Sequence, residues 1–278
     1  MLDRLRALLP GWFGSKAVTL PVVRISGAIG INAPLRPGVS LASVAGPLER
    51  AFAIKTAPAV AILINSPGGS PVQSHLIHRR IRALSQEKGK PVLAFVEDVA
   101  ASGGYMIAVA ADEIYADPSS VVGSIGVVSQ GFGFVGLIDR LGIERRVHTA
   151  GTRKAILDPF RPEQPDDVAH LKTLQADIHE DFRALVRERR GAILSDDPDL
   201  FSGLFWTGRT GLSLGLVDGL SDLRTLARER FGDAVRLRVI SGERGFPWRR
   251  ARGLGIEAAV GETLGVLEER ALWSRYGL

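Results

Sequence analysis

A serine among small residues, Ala100-Ala101-Ser102-Gly103-Gly104-Tyr105, stands between a strand-like apolar run and a short apolar helix. A serine at such a sharp turn presents its hydroxyl, and the Gly103 amide points at the same space. That pairing suits nucleophilic attack on a carbonyl with an N–H donor for the developing oxyanion. The logic is that of a nucleophile elbow, although the Gly-Xaa-Ser-Xaa-Gly signature is absent. The same residues also fit an ordinary serine N-cap. A second candidate is Asn65-Ser66-Pro67-Gly68-Gly69, which leaves one apolar run and enters another helix. Two glycines let backbone amides approach a ligand closely, so the turn's amides are a candidate oxyanion or anion site. A plain strand-to-helix turn explains the segment somewhat better when the motif is taken alone. It is not a phosphate-binding loop, since no lysine followed by Ser or Thr closes it.

A serine nucleophile needs a base. The five histidines are His75, His78, His148, His170 and His179, and none stands in a triad pattern. His148 stays open as a base on sequence alone. Lysine occurs only at Lys16, Lys55, Lys88, Lys90, Lys154 and Lys172, the remaining cations being arginine. Arginine keeps its proton in proteins, whereas a desolvated lysine can lose it, so few positions could act as an amine base.

The elements that would position these groups alternate. Strand patterns cover Val18 to Ile25, Ala59 to Ile64, Pro91 to Val96 and Glu113 to Ala116. Helical periodicity covers Leu41 to Ile54, Val72 to Gln86 and Gly103 to Ala111. The uninterrupted run Ala59 to Ile64 predicts a strand buried on both faces, as in parallel sheets. A glycine-punctuated stretch, Val121 to Val128, precedes a helix over Phe134 to Leu141 and a strand over Glu144 to His148. Pro165 to Arg190 reads as a long charged helix, Thr210 to Leu216 and Ser221 to Phe231 as shorter ones. Val235 to Ile240 alternates like an edge strand, and Ile256 to Trp273 reads as a closing helix. The alternation predicts α/β layering with right-handed crossovers. The expected organisation is an amphipathic segment over 1–17, one core domain over 18–231 and a strand-helix extension over 232–278.

The totals narrow the function classes. A chain of 278 residues accommodates one large α/β domain. Zero cysteines remove disulfides, thiolate metal sites and cysteine nucleophiles. The formal charge of +5 is spread along the chain, with its densest cluster at Arg249, Arg250 and Arg252. It reads as a solvated or lipid-facing surface, not a nucleic-acid site. No apolar run reaches the roughly eighteen residues of a transmembrane helix, and no secretory signal is read. The expected location is cytoplasmic or peripheral to a membrane. The Met1–Phe13 segment suits an interfacial helix, or one docking on the chain's own body or on another subunit.

The ordered set Ile62–Gly69, Asp98–Ala111, Gly123-Ser124-Ile125-Gly126-Val127-Val128, Gly151-Thr152-Arg153-Lys154, Asp158-Pro159-Phe160-Arg161 and Gly215-Leu216-Val217-Asp218 resembles the signal peptide peptidase A family. The resemblance runs from about Val18 to Leu223. It implies the Clp/crotonase fold, a repeated β-β-α spiral core, and a Ser/Lys dyad. Carried over by position, Ser102 is the nucleophile and Lys154 the general base. Ser124 is a hydroxyl bonded to the lysine amine, and the Gly69 and Gly103 amides form the oxyanion hole. Such a lysine must be neutral, which a free amine with a pKa of about 10.4 achieves only when an apolar pocket desolvates it. The resemblance further implies peptide substrates, membrane-derived or unfolded, a ring-like homo-oligomer, and no cofactor or metal. It leaves open whether the dyad lies within one chain or across two. An acyl-CoA-binding crotonase relative and a non-catalytic scaffold on the same fold are the competing readings.

Overall fold

A computed structural model describes residues 17–31, 38–241, 265, 266 and 269–278. The Met1–Phe13 segment, the Arg249–Arg252 cluster and most of the closing helix lie outside the described residues. The expected α/β class is what the structure has. Strands β1 (Thr19–Ser26), β2 (Val60–Ser66) and β3 (Val92–Ala101) are joined by helices α1 (Leu41–Phe52) and α2 (Pro71–Lys88) and pair in parallel. Side chains on these strands alternate between two apolar layers. Val23, Ile25, Val60, Ile62, Ile64, Val92, Ala94 and Val96 join the larger core beneath the helices. Leu20, Val22, Ala61, Leu93 and Phe95 face a smaller core on the other side. That second core is closed by Leu226 and Ala227 of α7 (Leu223–Phe231). Burial on both faces explains why β2 reads as an unbroken apolar run.

The ten-residue β3 is where the sheet divides. Its first half pairs in parallel with β4 (Glu113–Ala116), and its last residues pair in parallel with β5 (Val121–Gly123). Between Ile64↔Val96 and Ser66↔Ala100, β3 advances four residues while β2 advances two. The side chain of Asn65 spans this irregularity, donating to Asp98 Oδ2 at 2.6 Å and accepting from the Val99 amide at 3.2 Å. Such a bulge bends the strand and re-aims the residues beyond it. Here those residues are Ser102 and α3 (Gly103–Ala108).

The rest of the chain extends this frame. After α4 (Val135–Arg140) and the 26-residue α5 (Pro165–Arg190), β6 (Phe205–Thr207) pairs antiparallel with β5. Helix α6 (Gly208–Ser213) leads to β7 (Gly219–Leu220), which pairs with β4. Strand β8 (Arg236–Val239) lies parallel to β1, so residues beyond Phe231 add the edge of the same sheet. One expected strand is absent: Glu144 to His148 is an exposed loop. Its alternating pattern has no neighbouring strand to accept its backbone hydrogen bonds, and alternation without a partner does not make a strand.

Candidate active site

The site starts from register. Ala101 of β3 is paired with Gly123 of β5, so the next residues, Ser102 and Ser124, leave adjacent strands side by side. Neighbouring strands lie about 4.8 Å apart. The Ser102 amide donates to the Gly123 carbonyl at 2.8 Å, and the Ser124 amide to the Leu204 carbonyl at 2.7 Å. Both serines adopt left-handed φ values, 51° and 54°. A non-glycine residue held there costs on the order of 1–3 kcal/mol and persists only where the surroundings enforce it. Ser102 sits at the N-cap of α3, yet its hydroxyl makes no capping bond. The plain N-cap explanation therefore does not account for it. The hydroxyl is partly exposed and unbonded among the described residues.

The Gly68-Gly69 turn is braced against that serine. The Ile29 amide donates to the Gly68 carbonyl at 2.8 Å and the Ser70 amide to the Ile29 carbonyl at 2.7 Å. Ser66 Oγ donates to the Gly27 carbonyl at 2.7 Å and accepts from the Gly68 amide at 3.2 Å. Gly68 has φ +100°, and a Cβ on it would lie 2.8 Å from Ser102 Cβ and 2.9 Å from the Gly103 nitrogen. Only glycine lets the two turns approach so closely. The amides of Gly69 and Gly103 donate to no group among the described residues. Two unused N–H groups on turns packed beside a free hydroxyl can hold an oxyanion.

Lys154 is not hydrogen-bonded to this centre. It lies in a run of turns over 151–157, its amide bonded to the Gly151 carbonyl at 3.2 Å and its side chain exposed. Its amine makes no hydrogen bond to Ser102, Ser124 or any other described residue. From Gly126 to Asp181 no residue is buried. The segment is held by its own contacts: Arg145 pairs with Asp158 at 2.6 Å and lies over Phe160, which packs on Phe134. A cavity of about 990 Å³ among Phe132, Phe134, Arg153, Ile156 and Asp167 includes neither Ser102 nor Lys154. No histidine takes the place of the base. His148 is exposed in the same segment. His179 is spent on the Ile125 carbonyl at 3.0 Å. His78 is buried with neither ring nitrogen partnered, and burial together with the Arg189 charge lowers its pKa to about 4.

One residue at this site had no signal in the sequence. Tyr276, buried at 9% exposure, points its hydroxyl at Ser124 Oγ, 3.3 Å away, and at the Pro67 carbonyl, 3.4 Å away. Its distance along the chain from Ser124 hides the contact from any local pattern.

The chain thus combines a largely parallel sheet with a serine hydroxyl set beside two unused amides. Residues 85–234, more than half of the chain, match Peptidase family S49, and the chain belongs to that family. The expected kinship with signal peptide peptidase A is thereby shown. A putative protease of Methanocaldococcus jannaschii is 32% identical over 76% of this chain and 69% of its own. The chloroplastic serine protease SPPA of Arabidopsis thaliana is 31% identical over 70% of this chain and 32% of its own. A Brucella abortus protein named Na(+)/H(+) antiporter NhaA is 56% identical over 99% of this chain but only 39% of its own length. This chain thus spans about two-fifths of the Brucella protein. Among the described residues here, no helix is long and apolar enough to cross a membrane.

Proposed function

We propose that this chain is a serine endopeptidase in which Ser102 is the nucleophile and Lys154 its base. The observation that carries the reading is the strained, uncapped Ser102 beside the two unused amides of Gly69 and Gly103. The neutral Lys154 amine takes the proton from Ser102 Oγ as that oxygen bonds to the peptide carbonyl carbon. The carbonyl electrons move onto oxygen, which the two amides hold. Collapse of the intermediate breaks the C–N bond, and the ammonium returns the proton to the departing amine. Water, deprotonated by the same lysine, then releases the acyl group from Ser102. Ser124 accepts a hydrogen bond from the lysine and fixes its approach.

A neighbouring copy of the chain delivers the lysine in this reading. The segment that carries it exposes Val128, Phe132, Leu137, Leu141, Ile143 and Val147, each 40% or more accessible. An apolar surface of that extent in one exposed stretch marks an interaction site. Burying it between copies would also dry the amine, as its role requires. The substrates are extended peptides, membrane-derived or unfolded, and the assembly works at or near a membrane surface without a metal or cofactor. Labelling with a fluorophosphonate is the direct test. Ser102 is expected to be modified in wild type and to lose reactivity in Lys154→Ala. Modification at another serine, or undiminished labelling in the lysine variant, would reject the dyad.

A further inference from the structure

We infer that Asn65 is a positioning residue for the serine centre: its side chain clamps the bulge of β3 and so fixes Ser102 against the Gly68-Gly69 turn. The inference deepens the reading of Ser102 as the nucleophile and rests on it. Asn65 stands at the junction of the two chain segments that build the centre. Along its own strand it precedes Ser66-Pro67-Gly68-Gly69, and its carbonyl accepts from the Gly27 amide at 2.9 Å. Across the sheet its side chain holds Asp98 and Val99, which lead into Ser102. Val99 is the residue at which β3 begins to pair with β5, opposite Val121. That register runs on through Ala101 and Gly123 and delivers Ser102 beside Ser124. One side chain therefore ties the oxyanion turn to the strand that carries the hydroxyl.

The clamp needs both ends of a carboxamide. The β2–β3 ladder breaks between Ile64 and Ser66, and there the amide of the wholly buried Val99 is met by a side-chain oxygen, Asn65 Oδ1, at 3.2 Å. A buried backbone donor needs such a partner, so that oxygen holds the bulge in shape. Asn65 Nδ2 donates to the Asp98 carboxylate at 2.6 Å, a charge-assisted bond that fixes which end of the amide faces Val99. An aspartate at this position would keep the acceptor and lose the donor. Ser66, the next residue, braces only the turn, since its Oγ bonds to Gly27 and Gly68. Ser102 is held at φ 51° and packs so closely on Gly68 that no Cβ fits there. Any shift of β3 beyond the bulge therefore moves the hydroxyl relative to the amides of Gly69 and Gly103. A misplacement of about 1 Å is enough to cost about a hundredfold in rate.

The test reads how fast a fluorophosphonate labels Ser102 in the full chain, per folded molecule, with a urea midpoint measured beside each rate. Asn65→Asp should lower the maximal labelling rate constant about ten- to a hundredfold and leave the half-saturating reagent concentration within about twofold. The reciprocal variant, Asn65→Asp with Asp98→Asn, rebuilds the same hydrogen bonds with the roles exchanged. It should recover to within about threefold of wild type, because the two residues act as a coupled pair. A role confined to stability would move the urea midpoint and leave the rate of folded molecules unchanged. Should Asn65→Asp fail to fold, Asp98→Ala removes the acceptor at an exposed position. That variant should slow labelling by about fivefold or more, whereas Asp98→Asn, which still accepts, should not. Wild-type rates in folded Asn65→Asp or in Asp98→Ala, or no recovery in the reciprocal variant, overturn the inference. Wild-type protein that is not labelled at Ser102 removes the nucleophile reading itself, and the inference with it, so the two failures are told apart.

Discussion

The two halves of the proposed catalytic pair are built in opposite ways. Ser102 comes directly after residues that are wholly buried, Ala100 and Ala101, and precedes a helix whose six residues are all buried. Lys154 lies in a stretch where nothing is buried for more than fifty residues, from Gly126 to Asp181. A packed core can sustain a strained φ and hold two turns within contact distance. An exposed segment cannot fix an amine against a hydroxyl, because it has too few contacts to resist the entropy of a long side chain. The serine half is thus preorganised by its own chain, and in the proposed reading the lysine half is ordered only against a neighbouring copy.

The sharpest way to break this contrast is to disable each half separately. Ser102→Ala and Lys154→Ala should each lower kcat by about 10⁴-fold or more, as loss of a nucleophile or its base does in serine peptidases. Mixing the two dead proteins should restore hydrolysis, since sound serine sites then meet sound lysines from other copies. A mixture as inactive as its parts would place the pair within one chain. Gly68→Ala strikes only the preorganised half. Its methyl group would collide with Ser102 Cβ and the Gly103 nitrogen, so kcat should fall by about 10²–10³-fold, as when an oxyanion donor is misplaced. Retained kcat in that variant would mean that the turn is not held as described.

The third prediction concerns the buried side alone. His78 has a folded pKa near 4 against 6.5 when free, chiefly from burial. Above pH 6.5 both folded and unfolded chains carry it neutral. As the pH falls below 6.5 the unfolded chain gains a proton that the folded one refuses, and stability drops until about pH 4. The loss is up to about 3 kcal/mol, read as a falling urea midpoint between pH 6.5 and 4. His78→Leu should flatten that slope, and an unchanged slope would show that another group is responsible. The smallest effect belongs to the exposed side. Leu141→Ser should alter the stability of the isolated chain by no more than about 0.5 kcal/mol, as surface changes do. By light scattering it should weaken self-association. A large loss of stability, or unchanged association, would remove the contrast between the halves.

Much of the buried half is legible in the residues because its causes are local or periodic. The apolar run before Asn65 predicts a two-faced strand, and Val60–Ser66 is one. The small residues around Ser102 predict a strand-to-helix turn, and β3 passes into α3 there. The expected helix of Pro165 to Arg190 matches α5 at both ends, because a long charged amphipathic period is hard to mistake. The same periodicity misleads over Glu144 to His148, where alternation meets no partner strand. Strand Phe205–Thr207 is too short for any pattern to stand out and exists because β5 offers it an edge.

The amino-acid order alone settled which side chains could do the chemistry, since glycine turns, a serine between small neighbours and scarce lysines are properties of composition and spacing. Only the tertiary structure decided which of them meet. Ser102 and Ser124 stand together because Ala101 is in register with Gly123, and register is a relation between strands that neither strand encodes by itself. Tyr276 reaches Ser124 for the same reason: a contact across such a separation arises when distant segments pack, and no local rule carries it.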